Sequence, residues 1–194
     1  MTDRRFLFLL GSGRLGGNTE LLARRAAEQL PERVGQEWVR LADHPLPDFP
    51  DLRHDEGYTA PTDPNSRLLL DATLRATDLV IASPLYWYSV SALTKRYLDH
   101  WSGWLRVPGI DFREVMAGRT LWGVSAYAGD ASRAEPLTGT LHHTAAFMRM
   151  RFGGVLLGNG TDREDVLKDT EALGRAKGFF AEEAPLARFP HEAG

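Results

Sequence analysis

The chain has no cysteine among its 194 residues. Disulfides, thiolate nucleophiles, cysteine-ligated zinc and cysteine-bound iron–sulfur clusters are thereby excluded together. Excess charge is also scarce: 26 acidic side chains stand against 23 basic ones, a formal net charge of −3. A nucleic-acid-binding face would need a basic surplus, so no nucleic-acid partner is expected. Long apolar runs are missing. None approaches the ~20 residues needed to span a bilayer, and the opening RRFLFLL is too short for the apolar core of a signal peptide before it meets Gly11. A cytoplasmic protein without membrane contact is the expectation. The six histidines are scattered, and the adjacent pair His142 and His143 points in different directions on a helix. Without a further ligand four residues away, that pair makes no metal site. No serine sits in a G-x-S-x-G elbow.

What is present suits one ordinary soluble domain, with 43% hydrophobic and 25% charged residues. Residues 5–10 are almost wholly apolar, as in a strand covered on both faces of a parallel sheet. Leu21, Leu22, Ala26 and Leu30 recur at helical spacing through a predicted helix from Thr19 to Leu30, stopped by Pro31. QEWVRL reads as a second strand. A long proline-rich connection over residues 44–64 follows, and such loops exist chiefly for function or a partner contact. RLLLDATLRA reads as a helix capped by Asn65 or Ser66. Asp78 opens the strand LVIASP, and LYWYSVSALTKRYLDHWSGW is aromatic first and helical by its end, with Trp101 and Trp104 as core or dimer packing. RTLWGVSAY is the fourth strand, residues 132–150 a helix with an early proline, and FGGVLLG the fifth strand. A last helix is predicted from about Thr161 to Glu183. Alternation of strand and helix along the chain predicts a doubly wound parallel α/β sheet with helices on both faces. Residues 1–184 form that domain, and 185–194 a tail, either a mobile end or an arm on a neighbour.

The first turn carries the chemistry. Gly11, Gly13 and Gly16 spell G-x-G-x-x-G between strand and helix, the dinucleotide fingerprint. A glycine-rich turn at the same place also holds the single terminal phosphate of FMN in flavodoxin-like sheets. The Walker A pattern fails, since Gly17 and Asn18 follow Gly16. Asp43 lies further downstream than the ~20 residues that usually separate the fingerprint from its ribose-binding acid. Ser12, Arg14, Asn18 and Thr19 add hydroxyl, guanidinium and amide donors, enough to surround a terminal dianion beside Gly17 at a helix start. A dinucleotide pyrophosphate is approached mainly by bare backbone and needs no such ring. The loop after the third strand, SPLYWYSVSALTK, lies beside this turn if the strand order is flavodoxin-like. Tyr86, Trp87 and Tyr88 cannot all face one core, so this loop offers flat surfaces to a ligand.

GSGRLGGNTELLA together with SPLYWYSVSALTKRYLDHW resembles the flavodoxin-like NAD(P)H-dependent FMN reductase and quinone reductase family. Its first motif is similar to G-S-x-R-x-x-G/S-N/S-T, and its second to P-x-Y-x-x-S/G followed by a Lys and an Asp on the helix. The resemblance runs in element order from Phe6 to about Phe180. It implies a five-stranded sheet of order 2-1-3-4-5 and bound FMN. Ser12, Arg14, Gly17, Asn18 and Thr19 would hold the phosphate. Pro84, Leu85, Tyr86, Trp87, Tyr88 and Ser89 would run along the flavin, and Ser125, Tyr127 and Gly129 would close its third side. Lys95 and Asp99 match positions that look structural in the family. It further implies NADH or NADPH as co-substrate, a small electron acceptor such as a quinone or flavin, no catalytic side chain, and a homodimer or tetramer. His100 departs from the Arg common there. Two other readings are compatible with the residues: a single-electron flavodoxin-type carrier, which would favour a strongly acidic surface, and a nicotinamide-only Rossmann reductase, for whose substrate region little chain remains.

Overall fold

In the computed structural model, residues 4–55 and 57–190 are described. Five strands form one parallel sheet: β1 (Arg5–Leu10), β2 (Gly35–Arg40), β3 (Asp78–Ala82), β4 (Thr120–Tyr127) and β5 (Arg151–Asn159). Their order is β2-β1-β3-β4-β5. Leu10 lies beside Ala82 and Ala82 beside Val124, so β1 and β3 end level while β4 runs on to Tyr127.

Period-two alternation divides the strands between two cores. Phe6, Phe8, Leu10, Val80, Trp122 and Leu156 pack under α1 (Asn18–Ala27) and α6 (Thr170–Ala176). Leu7, Leu9, Leu79, Ile81, Leu121 and Val155 pack under α2 (Pro64–Arg75), α3 (Ala92–Trp104), α4 (Phe112–Met116) and α5 (Glu135–Phe147). Strands buried on both faces are therefore apolar past their first residue, as β1 is after Arg5 and β3 after Asp78. Trp101 and Trp104 belong to the second core, edge-on to Phe112 at 5.3 and 5.5 Å.

The double glycine of FGGVLLG is explained by Trp122. Leu121 pairs with Phe152 and Gly123 with Val155, so Gly153 and Gly154 bulge out opposite Trp122. A Cβ at Gly153 would collide with the indole ring, and Gly154 takes φ +85°. The indole Nε1–H donates to buried Asp78 at 3.0 Å, where Arg4 Nε (3.1 Å) and the Thr77 hydroxyl (2.8 Å) also donate.

Several helix ends differ from expectation. The cap of α2 is Asp63, accepting from Ser66 N–H at 2.8 Å, with Pro64 in the first turn, so neither Asn65 nor Ser66 caps it. The first helix starts at Asn18 and ends at Ala27, with only turns from Glu28 to Leu30. Short α4 has no counterpart among the predicted elements. The predicted helix over 161–183 breaks up. Asp169 caps α6 through Ala172 N–H (3.0 Å) and also takes Asn159 N–H (2.8 Å), which fixes a start at Thr170. After Gly178 the chain turns Phe179 and Phe180 inward against Trp122, at 5.2 and 5.5 Å.

Up to residue 190 the tail is tied to its own chain at residues 185–187. Phe152 N–H donates to Pro185 and Ala187 N–H to Met150, at 2.9 and 3.0 Å, which covers the start of edge strand β5 with the chain's own backbone. Residues 191–194 lie outside the described part. The proline-rich loop is folded down onto α3. Phe49 stacks on Tyr58 at 5.9 Å, His100 Nε2–H donates to Pro47 at 3.0 Å, and Arg96 pairs with Asp48 at 2.9 Å. His100 thus has a packing role, and Lys95 and Asp99 form an ion pair one turn apart on α3.

Asp78 joins the amino ends of the two central strands to the Trp122 core, so Asp78→Ala strands a buried indole N–H and a guanidinium. Breaking such a buried charged network costs about 3–5 kcal/mol, and for a domain of this size the melting temperature should fall by roughly 6–20 °C. A calorimetric shift under 2 °C would contradict this account of the core.

Candidate functional site

The carboxyl edge between β1 and β3 is the switch point of this strand order, where α/β sheets take their ligands. One serine ties its two loops together. Ser91 is the N-cap of α3 and accepts Thr94 N–H at 3.2 Å, while its hydroxyl donates to the Gly11 carbonyl at 2.6 Å. Its own N–H donates to Ser83 Oγ at 2.8 Å, and Gly11 N–H reaches the Ala82 carbonyl at 2.8 Å. A side chain at Gly11 would strike the Thr94 hydroxyl, so only glycine fits this approach.

Beyond Gly11 the first loop turns outward. Ser12 is buried and its hydroxyl accepts Arg14 N–H at 3.1 Å, while the Arg14 side chain stands exposed. Gly17 is the extended N-cap residue of α1 and supplies no side-chain cap. The backbone N–H groups of Gly17, Asn18, Thr19 and Glu20 have no partner among the described residues. Glu20 reaches back to Gly16 N–H at 3.0 Å and pairs with Arg24 at 2.7 Å, which shapes the loop and balances the carboxylate. Asn18 donates its amide to the Asp162 carbonyl at 2.8 Å, leaving a buried Oδ1 unpaired. The Thr19 hydroxyl accepts Ala126 N–H at 3.2 Å and keeps its own proton to donate.

The second loop forms a tight turn. Tyr86 N–H donates to Ser89 and Ser89 N–H to Tyr86, both at 3.0 Å. The two residues between, Trp87 and Tyr88, take φ +49° and +64°. This is the geometry of a two-residue hairpin turn, which normally requires Asn or Gly. Three aromatic rings face solvent there: Tyr86 is 56%, Trp87 93% and Tyr88 52% exposed. Pro84, Leu85 and Ser89 are half-buried; Leu85 packs against the second core and gives its N–H to the Ala126 carbonyl, at 3.2 Å.

The third loop lies at the end of β4. Ser125 is wholly buried, with its hydroxyl unpaired. Tyr127 is half-buried, and burial, then the nearby Asp169, Glu171 and Asp130 carboxylates, hold its phenol above the usual range. Gly129 turns the exposed loop at φ +82°.

Sequence reasoning thus found the loops but not their supports, Ser83, Ser91, Thr94 and Glu20. Glu20 had a signal, since it stands at the third helical position, where a capping carboxylate reaches backward. Exposed Leu15, 73% accessible on the first loop, also went unremarked. A hollow of about 460 Å³ sits under the amino end of β1, away from the edge where parallel sheets bind their cofactors, and another of about 490 Å³ is lined by Tyr127, Asn159 and Gly160 at the carboxyl ends of β4 and β5. Among the described residues no acidic or histidine cluster could hold a metal, and no helix is long and apolar enough to cross a membrane.

The sequence profile of the NADPH-dependent FMN reductase family matches residues 4–161. YwqN of Bacillus subtilis strain 168, provisionally described as an NAD(P)H-dependent FMN-containing oxidoreductase, is 33% identical over 169 residues, covering 86% of this chain and 91% of its own. Among solved structures, the Trp repressor binding protein from Bacillus subtilis superposes with a TM-score of 0.73 at 26% identity, covering 92% of this chain and 99% of that one. An FMN-dependent NADH-azoreductase from Bacillus anthracis, solved in complex with FMN, shares the fold at a TM-score of 0.59 and 14% identity, over 90% and 98% of the two chains. With the flavodoxin-like strand order, the glycine loop at its switch point and a family match over most of its length, this chain belongs to the NADPH-dependent FMN reductase family.

Proposed function

We propose that the β1–β3 edge of this chain holds FMN and passes electrons from NADPH or NADH to a small acceptor such as a quinone or a flavin. The observation that carries this reading is the uncapped start of α1. Four backbone N–H groups without partners among the described residues lie there beside buried Ser12 and exposed Arg14. That donor set suits a terminal phosphate dianion, which the helix end alone favours by ~0.3–1 kcal/mol and more when partly buried. FMN, when bound, supplies the two-electron chemistry between nicotinamide and acceptor.

The protein's own residues bind and orient. Ser12, Arg14, Gly17 and the Thr19 hydroxyl surround the phosphate, Asn18 stands beside them at the helix start with its side chain tied to Asp162, and buried Ser125 lies beneath the ring's third side. Pro84 and Ser89 carry the backbone along one side of the ring. Tyr86, Trp87 and Tyr88 wall the open face, and Tyr127 and Gly129 border its third side. Leu85, half-buried between Pro84 and Ser89 in sequence, joins them along their side of the ring while its side chain packs against the core. No side chain is assigned acid or base duty. Trp87, 93% exposed, and Leu15, 73% exposed, leave apolar surface beside the site for a second copy to cover, so a homodimer or tetramer is the working form.

Arg14→Ala should weaken FMN by roughly ten- to a hundredfold, the scale of a lost charge-assisted hydrogen bond, and leave riboflavin binding nearly unchanged. Equal losses for both flavins would mean that Arg14 acts on the fold.

The turn yields a second test. A bulky residue at positive φ costs about 1–2 kcal/mol, so Tyr88→Gly should raise the melting temperature by about 2–8 °C while raising acceptor KM severalfold. A lowered melting temperature would remove the argument that this turn is strained for use. Light scattering of the FMN-loaded protein should give at least twice the chain mass, and an active monomer would contradict the oligomer.

A further inference from the structure

The geometry points to a second binding site, at the opposite edge of the sheet, for an amphiphilic organic anion such as a medium-chain carboxylate. A cavity of about 460 Å³ opens there between the carboxyl end of α1, the start of β2 and the Phe179–Ala181 turn. Its volume lies in the range of small-molecule sites. The floor is apolar: Ala26 and Phe180 are buried, and half-buried Leu30 and Val34 pack against the same core.

The rim is cationic. Arg4, Arg33 and Lys177 line the opening, and no carboxylate among the described residues does. That is a local departure for a chain whose acids outnumber its bases. Arg4 is already engaged, by Asp78 and by the Phe180 carbonyl at 2.9 Å. Arg33 and Lys177 make no side-chain hydrogen bond or ion pair among the described residues, and two unpaired cations above an apolar floor suit a ligand with a negative head and a hydrocarbon body. A dianionic sugar phosphate would leave the floor unused, and a neutral hydrocarbon would leave the cations unused.

The site is separate from the cofactor edge. Helix α1 runs ten residues from the phosphate loop to this cavity, about 15 Å at 1.5 Å per residue. The same helix thus offers N–H groups to an anion at one end, while at the other the binding charge comes from side chains.

The test is isothermal titration of the FMN-saturated protein with octanoate, so that the phosphate loop is already filled. One saturable site per chain is expected, with octanoate at least tenfold tighter than butanoate, because the shorter chain leaves most of the apolar floor uncovered. Octylammonium should not compete. The Arg33→Glu/Lys177→Glu double variant, altered only at exposed positions, should lose at least tenfold in octanoate affinity, and Arg33→Gln/Lys177→Gln a smaller factor. Absence of a saturable site, equal binding of butanoate and octanoate, or an affinity within twofold of the original in the charge-reversed variant would each overturn the proposal.

Discussion

The hydroxyl of Ser91 is the contact on which the cofactor edge depends. It caps α3, holds the carbonyl of Gly11 at 2.6 Å, and sits on a backbone that Ser83 grips at 2.8 Å. Two loops that are 80 residues apart in sequence become one surface through this group. Each such bond is worth only about 1 kcal/mol net, but a buried carbonyl left unpaired costs about 1–3. The arrangement therefore holds as a unit, and it dictates glycine at position 11, because Thr94 occupies the space of a Cβ. From this fixed origin the glycine loop runs to α1 and the aromatic turn to α3.

Electrostatics then give the edge its character. Glu20 would be a poor neighbour for a phosphate, yet its charge is met by Arg24 at 2.7 Å and by Gly16 N–H at 3.0 Å. That leaves Arg14 and the free amides of α1 as the groups facing outward. On the other side, Trp87 and Tyr88 are held at positive φ by a turn closed with two 3.0 Å hydrogen bonds. Strain of this kind persists only where surrounding structure enforces it, and here it lifts three rings into solvent.

The sheet was legible in the chain because strands buried on both faces leave a strong mark. Arg5–Leu10 and Asp78–Ala82 are apolar runs bounded by turn residues, and they emerged as the two strands flanking the switch point. Helix ends were less legible, since a cap is a single hydrogen bond: local sequence pointed to Asn65 or Ser66, and the chain's path puts the cap on Asp63. The apparent helix over 161–183 failed because Phe179 and Phe180 are drawn to Trp122, a tertiary demand that local periodicity does not contain. The bulge at Gly153–Gly154 is similar, for its reason is an indole on the neighbouring strand. At the site, motif residues could be read from sequence, whereas Ser83, Ser91 and Thr94 act through contacts formed only once β1 and β3 lie side by side.

The account places one cofactor at one edge, and a crystal structure of the chain grown with FMN tests that most directly. Density for the phosphate against Gly17–Thr19 with Ser12 and Arg14, and for the ring along the Tyr86–Ser89 turn, is the result it predicts. Flavin bound at the amino-end cavity beside Arg33 and Lys177, with the glycine loop vacant, would contradict it.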